Sequence, residues 1–184
     1  AANVALNVAA LGARSSLVAA VGADERAAAL TERLETQGVE CRLVRSRTLP
    51  TIHKLRVLAR NQQLIRFDSE QSFASCAAEL GKLFTKAVAD ADAVVLSDYG
   101  KGTLDRARDL VDECRRRKLP VFIDPKGREF DKYRGATALT PNQGELEAVV
   151  GHWADEADFA ARFAPCDAGA EPAQLGGERA EPVR

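Results

Sequence analysis

The chain has 184 residues, of which 46% are hydrophobic and 29% charged, with a net charge of −1. That length suits one domain with a real core, and the near-neutral balance offers no bulk attraction to nucleic acid or to a membrane surface. No apolar run approaches bilayer-spanning length and no secretory signal opens the chain, so the expected setting is cytoplasmic. Cys41, Cys76, Cys114 and Cys166 have no zinc-type spacing and read as reduced thiols. His53 and His152 lie too far apart in sequence to suggest a metal site. The chain begins at Ala1 and contains no methionine, which reads as an N-terminally incomplete protein.

Taken in order, Ala1–Leu11 is Ala-rich and predicts a helix stopped by Gly12. Ser15–Val21 predicts a buried strand closed by Gly22. A helix follows from Ala23 or Asp24 to Gly38, with Ala28, Leu30 and Leu34 inward, and then a strand over Val39–Val44. Pro50–Asp68 breaks this rhythm. Thr51–Leu58 alternates and is rich in β-formers, Arg60-Asn61-Gln62 is a polar turn, and Gln63–Phe67 returns, which predicts a β-hairpin. Lys54, Arg56 and Arg66 fall on one face of it, a basic face that suits a lid over a site or simply a wet surface.

Ser75–Ala89 predicts a helix with Leu80, Leu83, Phe84 and Val88 on one stripe. Ala93–Leu96 predicts a strand, and Thr103 is placed to cap a helix over Leu104–Lys118. Two more buried strands are expected, at Val121–Ile123 and Ala136–Thr140, with a helix over Gln143–Val150 and another over Asp155–Phe163. Alternation of this kind implies βαβ crossovers and a mainly parallel sheet. Beyond Gly151 the pattern fades, and 164–184, rich in Pro, Gly, Ala and charge, predicts disorder.

Three strand ends carry the polar residues: Ser97-Asp98-Tyr99-Gly100-Lys101-Gly102, Asp124-Pro125-Lys126-Gly127 and Thr140-Pro141-Asn142-Gln143-Gly144-Glu145. Ligands bind at the carboxyl ends of strands in open α/β sheets. Lysines beside small-residue turns suit phosphate groups. Asn142 and Glu145, three apart at a helix start, suit hydrated Mg²⁺, or equally an N-cap with its capping-box partner.

The order of these segments resembles the ribokinase-like (PfkB) carbohydrate kinases, and within them the heptose 7-phosphate kinases. The stretches that carry the resemblance are AANVALNVAALGA, VGADERA, PTIHKLRVLARNQQLIRFD, LSDYGKG, VFIDPKG and YRGATALTPNQGELEAV, together covering Ala1 to Gly151. The resemblance implies a doubly wound, mainly parallel α/β sheet, here incomplete, with a small β-hairpin lid at about residues 50–68. It implies phosphoryl transfer from ATP with Mg²⁺ to the anomeric oxygen of heptose 7-phosphate, a step of ADP-heptose synthesis for lipopolysaccharide. By position, Asn3, Lys54, Arg56, Asp98 and Lys101 match substrate-binding residues. Lys126 matches a residue near the nucleotide phosphates, and Asn142 and Glu145 match the family's Asn-x-x-Glu motif, which supports Mg²⁺ and phosphate.

The family's Gly-Gly pair is expected before Asn3, where only Ala1-Ala2 are present, and no Gly-Ala-Gly-Asp occurs anywhere in the sequence. That motif supplies an anion hole and the general base, so no catalytic residue is assigned, and Asp167 in Cys166-Asp167-Ala168-Gly169 is not taken as one. The expected domains are a partial kinase domain over 1–151 and a divergent tail over 152–184, the tail reading as the product of a frameshift, a premature stop or a partial gene model. The expected partners are a sugar phosphate and, through the lid, a second copy of the chain, with no nucleic acid or membrane. The alternatives are a non-catalytic sugar-phosphate-binding or interaction fragment, or another sugar kinase of the same family.

Overall fold

The computed structural model describes residues 1–60 and 62–163, with side chains through residue 160. The expected disordered tail and Asp167 lie outside the described residues. Helix α1 (Ala2–Ala10) leads into strand β1 (Ser15–Gly22), helix α2 (Glu25–Thr36) and strand β2 (Val39–Ser46). Strands β3 (His53–Ala59) and β4 (Gln62–Ser69) form the hairpin. Helix α3 (Ala77–Ala87), strand β5 (Val94–Ser97), helix α4 (Ala107–Arg116) and strand β6 (Val121–Asp124) follow. Strand β7 (Ala138–Leu139) and helices α5 (Gln143–Val150) and α6 (Glu156–Phe163) complete the described chain. Among the described residues no helix is long and apolar enough to cross a membrane.

The strands of the βαβ units are parallel, as the alternation requires. β1 pairs with β2 from Ser15↔Val39 to Gly22↔Ser46, and β6 lies between β5 and β7. The two groups are not hydrogen-bonded to each other, so the expected single sheet is present as a two-stranded and a three-stranded piece. A shared core joins them: Val44 of β2 lies in one apolar cluster with Leu80 and Phe84 of α3, Val94 and Leu96 of β5, Val111 of α4, and Val121 and Ile123 of β6. On the opposite face of β1–β2, Ala5 of α1 and Leu34 of α2 pack with Leu17 and Val39. This pair therefore carries helices on both faces, the doubly wound arrangement.

The three-stranded piece is covered on one face only. Val94, Leu96, Val121 and Ile123 are buried, whereas Val95 and Phe122, opposite each other in register, are 49% and 40% exposed. The apolar runs thus alternate in burial, because a run is fully buried only when a helix lies over each face.

Local chemistry fixes the element ends. Asp24 caps α2, its Oδ1 accepting from the Ala27 N–H at 2.9 Å. The expected cap at Thr103 is not made. Residues 103–106 turn without helical continuity, α4 begins at Ala107, and its N-cap is Arg106 with no side-chain bond. The buried stripe of Ala107, Leu110, Val111 and Cys114 sets that helix in place of a cap. β7 is shorter than the expected Ala136–Thr140, although the N–H groups of Thr137 and Thr140 still bond β6 carbonyls at 2.7 and 2.8 Å.

The two faces of β6 give a direct comparison. Ile123→Ala should cost about 2–5 kcal/mol, since it opens a cavity in the shared core, while Phe122→Thr should cost about 1 kcal/mol or less. Urea unfolding midpoints of the two variants measure this, and equal losses would mean that both faces are packed.

Candidate active site

The ends of β5 and β6 are held together beyond their ladder. The Asp98 N–H donates to the Asp124 carbonyl at 2.9 Å. The Asp98 carboxylate, 4% exposed, accepts from the Gly100 N–H on Oδ1 at 2.7 Å. On Oδ2 it accepts from Lys132 Nζ at 2.6 Å and from the Tyr133 hydroxyl at 2.7 Å. Tyr133 is itself buried, and its oxygen accepts from the Lys126 N–H at 3.3 Å. One carboxylate thus ties the turn after β5, the 3₁₀ turn Phe130–Tyr133 and the turn after β6. Burial pushes the Asp98 carboxyl up, but Lys132, Tyr133 and the Gly100 N–H together outweigh it and hold the group below its ordinary value. Burial pushes the Lys132 ammonium down, but Asp98 and Tyr133 outweigh it and hold the group above its ordinary value.

At the next strand end, Asn142 Oδ1 accepts from the Glu145 N–H at 3.0 Å and Glu145 Oε2 accepts from the Asn142 N–H at 3.2 Å. This is the capping box that the spacing allowed. Glu145 Oε1 also takes Lys126 Nζ at 2.7 Å. Lys126 holds Glu145 below the usual carboxylate range, and Glu145 raises Lys126. Among the described residues no group of three or more His, Cys, Asp or Glu could ligate a metal. Glu145 and Asn142 are the carboxylate and amide that could hold hydrated Mg²⁺, which keeps most of its waters, and they would share its shell with their present contacts to Lys126 and the capping box.

The hairpin brings the lid residues to the same side. Lys54 lies opposite Asp68 and Arg56 opposite Arg66 on one face, as expected, but the face is interleaved with acid. Arg66 pairs with Asp68 at 2.8 Å, and Lys54 with Glu70 at 2.9 Å and Asp68 at 3.7 Å. The other oxygen of Glu70 pairs with Lys101 from the turn after β5. The ammonium groups of Lys101 and then Lys54 pull the Glu70 carboxyl down to about 2. The hairpin base is fixed as well. The Phe73 N–H donates to the Lys101 carbonyl at 2.7 Å. Gly102, at φ +83°, allows that approach, since a Cβ there would lie 2.6 Å from the Ala74 nitrogen.

Asn3 sits in the first turn of α1, and that turn lies at the strand ends: the Ala1 amino group donates to the Tyr99 hydroxyl at 3.0 Å. The profile of the pfkB family carbohydrate kinases matches residues 1–171. The chain belongs to this family. It is 52% identical over 163 residues to the bifunctional protein HldE of Aliivibrio fischeri strain MJ11, covering 88% of this chain and 34% of that protein. The corresponding protein of Hahella chejuensis is 50% identical over 163 residues, with the same coverage. The chain thus spans about a third of the length of these relatives. Among solved structures, an E. coli protein described as a ribokinase II, in complex with ATP and Mg²⁺, superposes with a TM-score of 0.68 at 14% identity. That match covers 88% of this chain and 56% of the other. It carries the ribokinase-like α/β fold.

In the pfkB chain the expected residues fall into two groups. Lys126, Asn142 and Glu145 are joined directly, and Lys54 and Lys101 are joined through Glu70. Asp98 stands between the two groups, turned inward to Lys132 and Tyr133. Arg56 faces Arg66 across the hairpin. Glu70, Lys132 and Tyr133 were not anticipated. The only signal for Tyr133 is an aromatic in a polar loop, and Glu70 has none beyond following the hairpin.

Tyr133→Phe should lower stability by about 1–2 kcal/mol, because a buried carboxylate oxygen loses a donor. The Asp98 pKa is depressed in the folded state, so its contribution is full above pH about 4 and is lost as pH falls through the depressed value. Thermal melts from pH 7 to 2.5 should therefore show a shallower acid decline for Asp98→Asn than for the wild type. Parallel declines would mean that Asp98 is not held ionised by these partners.

Proposed function

We propose that the chain is the sugar-phosphate- and Mg²⁺-facing part of a heptose 7-phosphate kinase, working in the cytoplasm in ADP-heptose synthesis for lipopolysaccharide. The observation that carries this reading is the convergence of three strand-end turns and the hairpin on one side, with Lys54, Lys101 and Lys126 presented there. Identity near 50% to bifunctional HldE proteins supports it, as does the sequence resemblance in the lid.

Residues 1–151 form the kinase portion, with the lid at about 50–68. Asn3 and the Asp98–Lys101 turn face the sugar, while Lys54 and Arg56 reach over its phosphate from the lid. Lys126 faces the nucleotide phosphates. Glu145, with Asn142, holds Mg²⁺ through its waters, where the ion would offset charge on the phosphoryl oxygens. Phosphoryl transfer depends on such charge neutralisation and positioning more than on covalent help. In the reaction the anomeric hydroxyl oxygen bonds to the γ-phosphorus as the bond to ADP breaks, and the hydroxyl proton passes to a base. No residue of this sequence is assigned as that base.

The chain itself should therefore bind without turnover. Calorimetry should detect heptose 7-phosphate binding that Lys54→Met and Arg56→Met each weaken about 10-fold, the scale of one lost charge-assisted contact. A coupled ADP-release assay should read no more than the protein-free control. Tighter binding of ribose 5-phosphate or fructose 1-phosphate than of heptose 7-phosphate would shift the reading to another sugar kinase of the family. Turnover would place a base within this sequence.

A second reading rests on the other face of the hairpin. Leu55, Val57, Ile65 and Phe67, cross-strand partners in register, are 39–55% exposed. A two-stranded hairpin is marginal alone, and this apolar face favours a second copy's hairpin as its cover. Light scattering of the purified chain should give a dimer mass that Phe67→Lys reduces to the monomer.

A further inference from the structure

The Glu70 side chain joins the hairpin to the turn after β5 at this corner of the site. Its Oε1 lies 2.9 Å from Lys54 Nζ, and its Oε2 pairs with Lys101 Nζ. Three residues on, the chain is fixed, because Phe73 is buried and its N–H bonds the Lys101 carbonyl. The short span from Glu70 to Phe73 gives the carboxylate a fixed tether beside Lys101. Asp68 adds a second negative charge 3.7 Å from Lys54. Arg66 also pairs with Asp68 at 2.8 Å, so three cations face two carboxylates; the residual charge still favours an arriving dianion, but Glu70 occupies both ammonium groups that would receive it.

We propose that Glu70 is the lid's resident counter-anion. It clasps Lys54 and Lys101 where the phosphate end of the sugar is received, and the ligand's phosphoryl group displaces it and takes over the bridge between lid and strand ends. This rests on the proposed function, in which Lys54 reaches over the sugar's phosphate, and it extends that reading by bringing Lys101 of the sugar-facing turn to the same phosphate. Before binding, the clasp keeps the two lysines together and the lid near the site. On binding, a dianionic phosphate outcompetes one carboxylate for two ammonium groups, whereas a neutral sugar end cannot. Glu70 is therefore a specificity-determining residue: it penalises ligands that lack the terminal phosphate.

The experiment uses the full chain, with heptose 7-phosphate as the probe. Amide hydrogen exchange of residues 53–59 and 62–69 reads the clasp without ligand, and calorimetry reads the competition. Glu70→Gln should speed lid exchange at least 3-fold. Added heptose 7-phosphate should restore protection, and affinity should rise at least 3-fold over wild type. Lys101→Met should loosen the lid equally but bind more weakly and remain unprotected. Unchanged lid exchange in Glu70→Gln overturns the clasp. Faster exchange without a gain in affinity makes Glu70 a plain structural bridge and overturns the competition. If Lys54→Met and Lys101→Met bind as tightly as wild type, the phosphate is received elsewhere. That result, or an absence of binding in wild type and Glu70→Gln alike, overturns the site reading together with the competition. The unliganded exchange then still decides the clasp separately.

Discussion

The buried carboxylate of Asp98 is the constraint around which the strand ends are arranged. A charge in a protein interior is costly unless it is paired and hydrogen-bonded. Asp98 meets that condition with three donors from two segments: the Gly100 N–H of the turn after β5, and Lys132 and Tyr133 of the 3₁₀ turn. Removing any of them leaves acceptor capacity unmet at a point where water has little access. The turns after β5 and β6 are consequently held in one relative position, and Lys101 and Lys126 project from a shared frame and not from two independent loops. The frame reaches further through Lys126 and Glu145 to the start of α5, and through Lys101 and Glu70 to the hairpin.

The layers explain why this frame lies where it does. Parallel strands joined by helices bring every β-to-α turn to the same end of the sheet. Helix α3 packs into the core shared by β2 and β5, so the two strand groups keep a common direction without a hydrogen bond between them. The hairpin is of a different kind. It has little core of its own, and its attachment is concentrated at its base, at Thr51, Phe73 and Glu70.

Much of this was legible in the sequence because it depends on local pattern. Val39–Val44 announces a strand by apolar residues alternating with Glu40 and Arg42, Ala93–Leu96 by a continuous apolar run, and the Asn142-to-Glu145 spacing allows a capping box that the structure makes. Face-specific burial was not legible: Val95 and Phe122 look like their buried neighbours, and only the layer above them decides. Thr103 misled because its residue type suits a cap, while the apolar stripe that sets α4 starts four residues later, at Ala107. The partners of Asp98 lie 34 and 35 residues away, in an aperiodic loop. Glu70 meets Lys101 across 31 residues. Contacts of that kind follow from the fold, and no spacing rule points to them.

Asp24 does two things at once. Its carboxylate caps α2, and it also accepts from the Thr51 N–H at 2.8 Å and the Thr51 hydroxyl at 2.7 Å, while Thr51 Oγ1 accepts from the Gly22 N–H at 3.0 Å. Gly22 has no room for a side chain, since a Cβ would lie 2.6 Å from the Thr51 nitrogen. The entry to the hairpin is thus seated against backbone, and the residue that holds it also stabilises the first turn of a core helix. Carrying Thr51 along in a lid movement would fray α2 and uncover the end of β1. The root of the hairpin is therefore part of the core, and any displacement of the hairpin that left α2 and β1 intact would have to begin beyond Thr51.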